Sequence, residues 1–324
     1  MVIRPNLALP LLLAGAMVGC RTPKLAPPPA AVTAAFEGMP SRLESHVRML
    51  AETLAPRDSG HPENLDRVAA YVEARFRETG AKVTTQPYTV EGRIYRNVIA
   101  HFGPEEGPLI VVGAHYDTYG ATPGADDNGS GVAGLLELAG LLAMESQHHP
   151  IDLVAYTLEE PPFFRTEHMG SAHHAKGLKD AGRRVKAMVA LEMIGTFSDA
   201  PQSQGYPIGL LKLFYPSQGN FIAVVGNLGG FGLTRLVKGA MRSATPLPVR
   251  SMNAPKTLPG IDFSDHRNYW KEGFPAVMVT DTAFNRNHAY HEAGDTPGRL
   301  DYRRMALVVK GVREVVAALG RGDD

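Results

Sequence analysis

Glu159 and Glu160 stand side by side at the end of the apolar run Ile151-Asp-Leu-Val-Ala-Tyr-Thr-Leu158. Such a run reads as a buried strand of an α/β sheet, and these sheets place their chemistry just beyond the carboxyl ends of strands. Two adjacent carboxylates there repel each other and lose solvation unless a cation lies between them. Three other segments supply partners. Pro108-Leu-Ile-Val-Val-Gly-Ala114 runs into His115-Tyr-Asp117, Gly124-Ala-Asp-Asp-Asn-Gly-Ser-Gly131 opens a helix, and Val185-Lys-Ala-Met-Val-Ala-Leu191 runs into Glu192. The pattern points to a cluster of metal ions.

The elements that must position these residues follow from periodicity. Helical spacing is expected at Ser41–Leu54 behind a Ser cap, Glu63–Thr79, Asn128–Met144 and Tyr302–Leu319. Strands are expected at Lys82–Val90, Ile94–Phe102, Leu109–Ala114, 151–158, 185–191, Phe221–Val225 and Ala276–Thr280. Strands alternating with helices predict an α/β fold: one domain, residues 41–324, with a central, mostly parallel mixed sheet flanked by helices on both faces. Residues 196–220, rich in Pro and Gly, read as a long irregular insertion of the kind that shapes a pocket.

Lys plus Arg and Asp plus Glu both number 33 in the 324 residues, so the overall charge gives no electrostatic argument for nucleic acid or an anionic membrane surface. Through an N-terminal anchor the expected partner is a membrane; oligomeric state is unreadable. Arg4, the apolar stretch from about Leu7 to Val18 and Gly19-Cys20 form a secretory signal over residues 1–19. The single cysteine, Cys20, sits at its end in a pattern similar to a bacterial lipobox, and residues 20–40 read as a lipidated Pro/Ala-rich tether. The expectation is a periplasm-facing lipoprotein, outer membrane favoured over inner because Arg21 follows the cysteine. Without further cysteines, any metal must be held by His, Asp and Glu.

Five ordered elements carry a resemblance over about residues 41–319: His115-Tyr-Asp117, Gly124–Gly131, Glu159-Glu160, Leu191-Glu192-Met193, and Tyr290-His291 followed by Asp295-Thr296. With them the chain resembles the zinc aminopeptidases of the bacterial leucyl aminopeptidase type, whose relatives include glutamate carboxypeptidases, glutaminyl cyclases and the transferrin-receptor ectodomain. The resemblance implies two Zn²⁺, one on His115 and one on His291, with Asp127 bridging both. It implies Glu160 completing the His115 site, Glu192 the remaining coordination, Glu159 as general base and Asp117 as acceptor of the His115 N–H. Many members have Asp where this chain has Glu192, which leaves a one-zinc working state open.

The implied activity is removal of the N-terminal residue from peptides. The alternative is a one-zinc glutaminyl-peptide cyclotransferase, although those enzymes usually carry Trp where Tyr290 stands. A deacetylase/carboxypeptidase relative would need a lid domain that the interval from Glu192 to His291 does not suggest, and a binding protein descended from a peptidase would have lost ligands. Asp265, in Ser264-Asp265-His266, and Tyr290 are candidate substrate contacts, with Ser264 or Asp265 otherwise a helix cap. Asp295 reads as a loop anchor. His173-His174 reads as part of a solvated helix.

Overall fold

The computed structural model describes residues 30–321. Eight strands form one sheet: β1 (Lys82–Val90), β2 (Arg93–Phe102), β3 (Leu109–His115), β4 (Ile151–Tyr156), β5 (Val185–Glu192), β6 (Ile222–Asn227), β7 (Val249–Ala254) and β8 (Ala276–Thr280). Their spatial order is β1-β2-β4-β3-β5-β8-β6-β7. The central strands β4, β3, β5 and β8 are parallel, β2 and β1 add an antiparallel edge, and β6 pairs antiparallel to β8 with β7 parallel beyond it. The expected mixed α/β sheet is therefore present. Its parallel centre brings the carboxyl ends of four strands to one edge, where the chemistry of such sheets belongs.

The helices are α1 (Ala30–Glu37), α2 (Met39–Arg48), α3 (Pro62–Glu78), α4 (Gly131–Leu142), α5 (Gly170–Asp180), α6 (Phe231–Ala244), α7 (His266–Lys271) and α8 (Tyr302–Gly320). Alternate strand residues serve opposite faces. Ile110, Val112 and Ala114 of β3 join the core under α2, α3, α4 and α8, whereas Leu109 and Val111 join a second core with Ala175 of α5 and Tyr269 and Trp270 of α7. Almost every residue of α4 is buried, which explains its apolar circumference. On the second face, among the described residues, the 196–220 insertion rather than an α-helix lies over β6 and β7, leaving a cavity.

Four expectations change. Residues 30–37 are helical and Met39 is fully buried, so the domain begins before residue 41 and the tether does not extend to residue 40. Ser41 is inside α2, whose N-cap is Gly38. β4 stops at Tyr156, because the next residues turn to aim the glutamates. β7 has no counterpart in the sequence reading. The signal segment, Cys20 and residues 20–29 lie outside the described residues, among which no helix is long and apolar enough to cross a membrane.

Candidate metal centre

β3 ends in His115, β5 ends in Glu192, and Glu159 and Glu160 follow β4. Three site residues have left-handed backbones: Leu158 (φ 59°), Met193 (φ 47°) and His291 (φ 60°). Such conformations in non-glycine residues are costly and cluster where a turn must aim functional groups. Gly124 (φ 58°) precedes the Asp126-Asp127 pair, and a Cβ there would come within 2.4 Å of the Asp127 carbonyl oxygen. Only glycine fits that turn. Asn128 then ties it to the sheet: its Nδ2 donates to the Leu191 carbonyl at 2.8 Å, and its Oδ1 accepts the Met193 N–H at 3.0 Å.

The side chains converge in two triads that share Asp127. His115 Nε2 lies 3.6 Å from Asp127 Oδ1 and 3.4 Å from Glu192 Oε2. His291 Nε2 lies 3.2 Å from Asp127 Oδ2 and 3.3 Å from Glu160 Oε2. The ligand atoms within each triad all lie within 4.8 Å of one another. The pairing corrects one expectation: Glu160 groups with His291, and Glu192 with His115. β4 and β5 flank β3 on opposite sides, and the turn after β4 carries Glu160 toward the loop that holds His291. Glu159 belongs to neither triad, though its Oε2 approaches His115 Nε2 at 3.9 Å.

The neighbours of these residues are themselves fixed. The two oxygens of Asp117 accept the N–H groups of Glu159 (3.1 Å) and Glu160 (3.0 Å). Toward His115 Nδ1 the nearer acceptor is the Asp117 main-chain oxygen at 3.2 Å, with the carboxylate at 3.5 Å. Asp117 thus orients three site residues at once. Asp295 accepts the N–H groups of Asp126 and Asp127, the anchoring its position suggested. The Ser264 hydroxyl donates to Glu192 Oε2 at 2.6 Å. The ring of His291 is sandwiched between Tyr119 (centroids 4.1 Å apart) and Tyr290 (3.7 Å). Tyr290 therefore supports His291 through its ring. Asp265 is fully buried, and no hydrogen bond of normal geometry reaches either of its oxygens.

Sequence reasoning missed Arg57, a fully buried cation behind the carboxylates. It donates to the carbonyls of Tyr116, Leu50, Pro123 and Gly124 at 2.7–2.9 Å, pinning both the His115 and the Asp127 segments. Burial lowers its pKa to about 10 against the opposing pull of Asp295 and Asp117. No spacing or motif around Arg57 signals this role. His174 departs from its expected solvated setting: it is buried, and its Nδ1 pairs with the Tyr269 hydroxyl at 2.6 Å. The other histidines outside the triads do not join the centre.

Electrostatics mark the cluster as a cation site. Burial raises the pKa of Glu159, with Glu160 adding to the rise and His115 opposing it. Burial, reinforced by Asp127, pushes Glu160 up to about 8. Burial opposes charge on His291, yet Asp127 and Glu160 outweigh it and hold the imidazole at about 9. Without a metal, then, these carboxylates retain or share protons that a divalent cation would displace. His115 Nε2, Asp127 Oδ2, Glu160 Oε1 and His291 Nε2 are buried without a hydrogen-bond partner. Orphaned atoms of this kind, from two imidazoles and two carboxylates, with Glu192 beside His115, fit a divalent transition metal at each triad.

A model of peptidase family M28 matches residues 97–316. The chain is 51% identical over 281 residues to an Escherichia coli protein described as uncharacterized protein YfbL, covering 84% of this chain and 86% of that one. It is 28% identical over 261 residues to leucine aminopeptidase 1 of Aspergillus clavatus, which is 75% of this chain and 61% of that protein's length. Among solved structures, LapB from Legionella pneumophila superposes with a TM-score of 0.71 at 23% identity, covering 93% of this chain and 77% of LapB. BSAP, a zinc aminopeptidase from Bacillus subtilis, gives 0.68 at 14% identity over 86% and 94%. Porphyromonas gingivalis glutaminyl cyclase gives 0.64 at 21% identity over 86% and 97%. At these identities the structural likeness is one of fold.

Proposed function

The chain belongs to peptidase family M28, and from that premise we propose that it is a zinc-dependent aminopeptidase, with one ion at each triad, that removes the N-terminal residue of peptides. The observation that carries this reading is the shared Asp127, one oxygen toward each imidazole, beside a glutamate that joins neither triad. When bound, the ions supply water activation near neutral pH and polarisation of the scissile carbonyl.

The chain's own residues do the rest. Glu159, its proton affinity raised by burial, takes the proton of the attacking water and passes it to the leaving amine nitrogen. Asp117 holds the Glu159 backbone in place for that transfer. The concentration of carboxylates, with buried Asp265 among them, favours a substrate carrying a free α-ammonium group over an internal peptide bond. Beside Glu192 opens a cavity of about 730 Å³ including its mouth, walled by Ile261, Phe263, Met278 and Phe284 with Tyr206 and Tyr215 of the insertion. It suits an apolar first side chain.

The test is hydrolysis of amino-acid anilides by protein stripped with chelator and then reloaded with zinc. Release of free amino acid at two zinc per chain is the expected result. Pyroglutamate formation from glutaminyl peptides at one zinc per chain would replace it with the cyclotransferase reading. The proposal extends to residues 1–29: export on the signal segment, lipidation at Cys20 and a periplasm-facing position on the outer membrane. Palmitate labelling lost in Cys20→Ser is the expected outcome there.

A further inference from the structure

The chain's neutral total hides an uneven distribution. Between Asp199 and Asp262 there is no acidic residue, while Lys212, Arg235, Lys238, Arg242, Arg250 and Lys256 all fall in that interval. It spans the insertion, β6, α6 and β7. Of the eleven large apolar side chains left exposed among the described residues, seven lie in the same interval: Ile208, Leu210, Leu213, Phe214, Leu228, Phe231 and Leu236. Leu213 and Phe214 are 76% and 75% exposed. Apolar groups that far into solvent, four within seven residues, mark an interaction surface.

The two features meet where the insertion, on either side of Leu213 and Phe214, reaches α6. Leu211 and Tyr215 of the insertion line a groove together with Phe231, Arg235 and Lys238 of α6. Arg242 and Arg250 lie near enough to Lys238 to disfavour its charge, after the larger effect of burial. None of the six cations forms an ion pair among the described residues, whereas the flanking Asp262 and Asp199 are engaged by Arg165 and Arg304. From this juxtaposition we propose that the face made by residues 206–215 and α6 binds the surface of an anionic phospholipid bilayer, inserting Leu213 and Phe214 among the acyl chains beneath a ring of lysine and arginine. Aliphatic groups projecting beside cations suit the boundary between headgroup and acyl chain, which takes both at once. A nucleic acid would leave the leucines and isoleucine without a partner. The insertion also walls the cavity beside Glu192 through Tyr206 and Tyr215, so a bilayer seated here lies next to the wall of that cavity. The inference stands independently of the peptidase reading.

The test uses the full chain carrying Phe214→Trp. The only native tryptophan, Trp270, is buried and reports the folded baseline. Vesicles of phosphatidylglycerol or of phosphatidylcholine, each with brominated acyl chains, are added at low and high salt. The expected result is a blue shift and quenching of the introduced indole on phosphatidylglycerol at low salt, lost at high salt. A second variant adding Lys212→Glu, Arg235→Glu and Lys238→Glu should partition at least about a hundred-fold more weakly. Unchanged circular dichroism in both variants establishes that the fold is intact. No quenching on phosphatidylglycerol at low salt would overturn the proposal. So would equal, salt-insensitive quenching on both lipids, or a saturable complex with an oligonucleotide or protein formed where vesicles produce no shift.

Discussion

The two triads differ in what holds them. His115 and Glu192 are the last residues of β3 and β5, fully or almost fully buried, and each is fixed by a further contact, His115 through the Asp117 main chain and Glu192 through Ser264. His291 and Glu160 sit on loops, and the His291 side chain is 22% exposed with its ring held between two tyrosines. One site is built on the sheet and the other is assembled from its connections. Rigid strand ends lose little entropy when a ligand is ordered, whereas a loop ligand must be ordered by its neighbours. On the two-ion proposal, the sheet-based site should hold its ion more firmly and the loop-based site should exchange first.

Several variants would sharpen or break that comparison. The largest effect is expected from Asp127→Ala, which removes the residue both triads share: metal analysis should show both ions lost and activity at background. Retention of either ion at full occupancy would show that the triads are independent. Glu159→Gln should lower turnover by about 10²- to 10⁴-fold while leaving metal content unchanged. Loss of metal in that variant would mean that the base and ligand roles of the two glutamates are exchanged. Asp117→Asn replaces an acceptor of two N–H groups with an amide that can accept only on one side, so zinc affinity should fall about 10- to 100-fold at both triads. Tyr119→Ala removes one ring from His291 and should weaken only the loop-based site, by about 2- to 10-fold. An equal loss at both sites would contradict the division.

The smallest effect concerns pH. Folded-state pKa values of about 8 for Glu160 and about 7 for Asp265 and Asp295 are raised above the ordinary carboxyl range. The folded metal-free protein therefore holds protons that the unfolded chain has released, and it loses stability as pH rises through those values. His291, raised to about 9, acts in the same direction. His174 and His266, lowered to about 4, contribute stability that is complete only above the ordinary histidine pKa. Between about pH 6.5 and 8 their contribution is nearly level, so the melting temperature of chelated protein should fall there while zinc-loaded protein changes less. A gap between the two that stays constant over this interval would contradict the proton-for-metal exchange.

The triad residues on the strands were legible because buried parallel strands are apolar runs, and a run ending in His115, Glu192 or the turn to Glu159-Glu160 declares its own carboxyl end. Which side chains group in which triad was not legible, since that depends on β3 lying between β4 and β5, a fact of topology with no local trace. β7 was missed because Arg250, Ser251 and Asn253 break its pattern; an edge strand half open to solvent does not need an apolar run. Ser264 read as a helix cap, and only the tertiary structure brings its hydroxyl to Glu192 across 72 residues. Arg57 acts through main-chain carbonyls, which every sequence possesses. The acid-free interval was visible in the sequence, but summing charge over the whole chain concealed it.

The measurement that bears most directly on the centre is zinc per chain, determined by mass spectrometry after equilibration in limiting chelator, for the unmodified protein and for His291→Ala. The account predicts two ions falling to one, the survivor lost on further substitution of His115. Two ions retained in His291→Ala, or none bound by the unmodified protein, would contradict it.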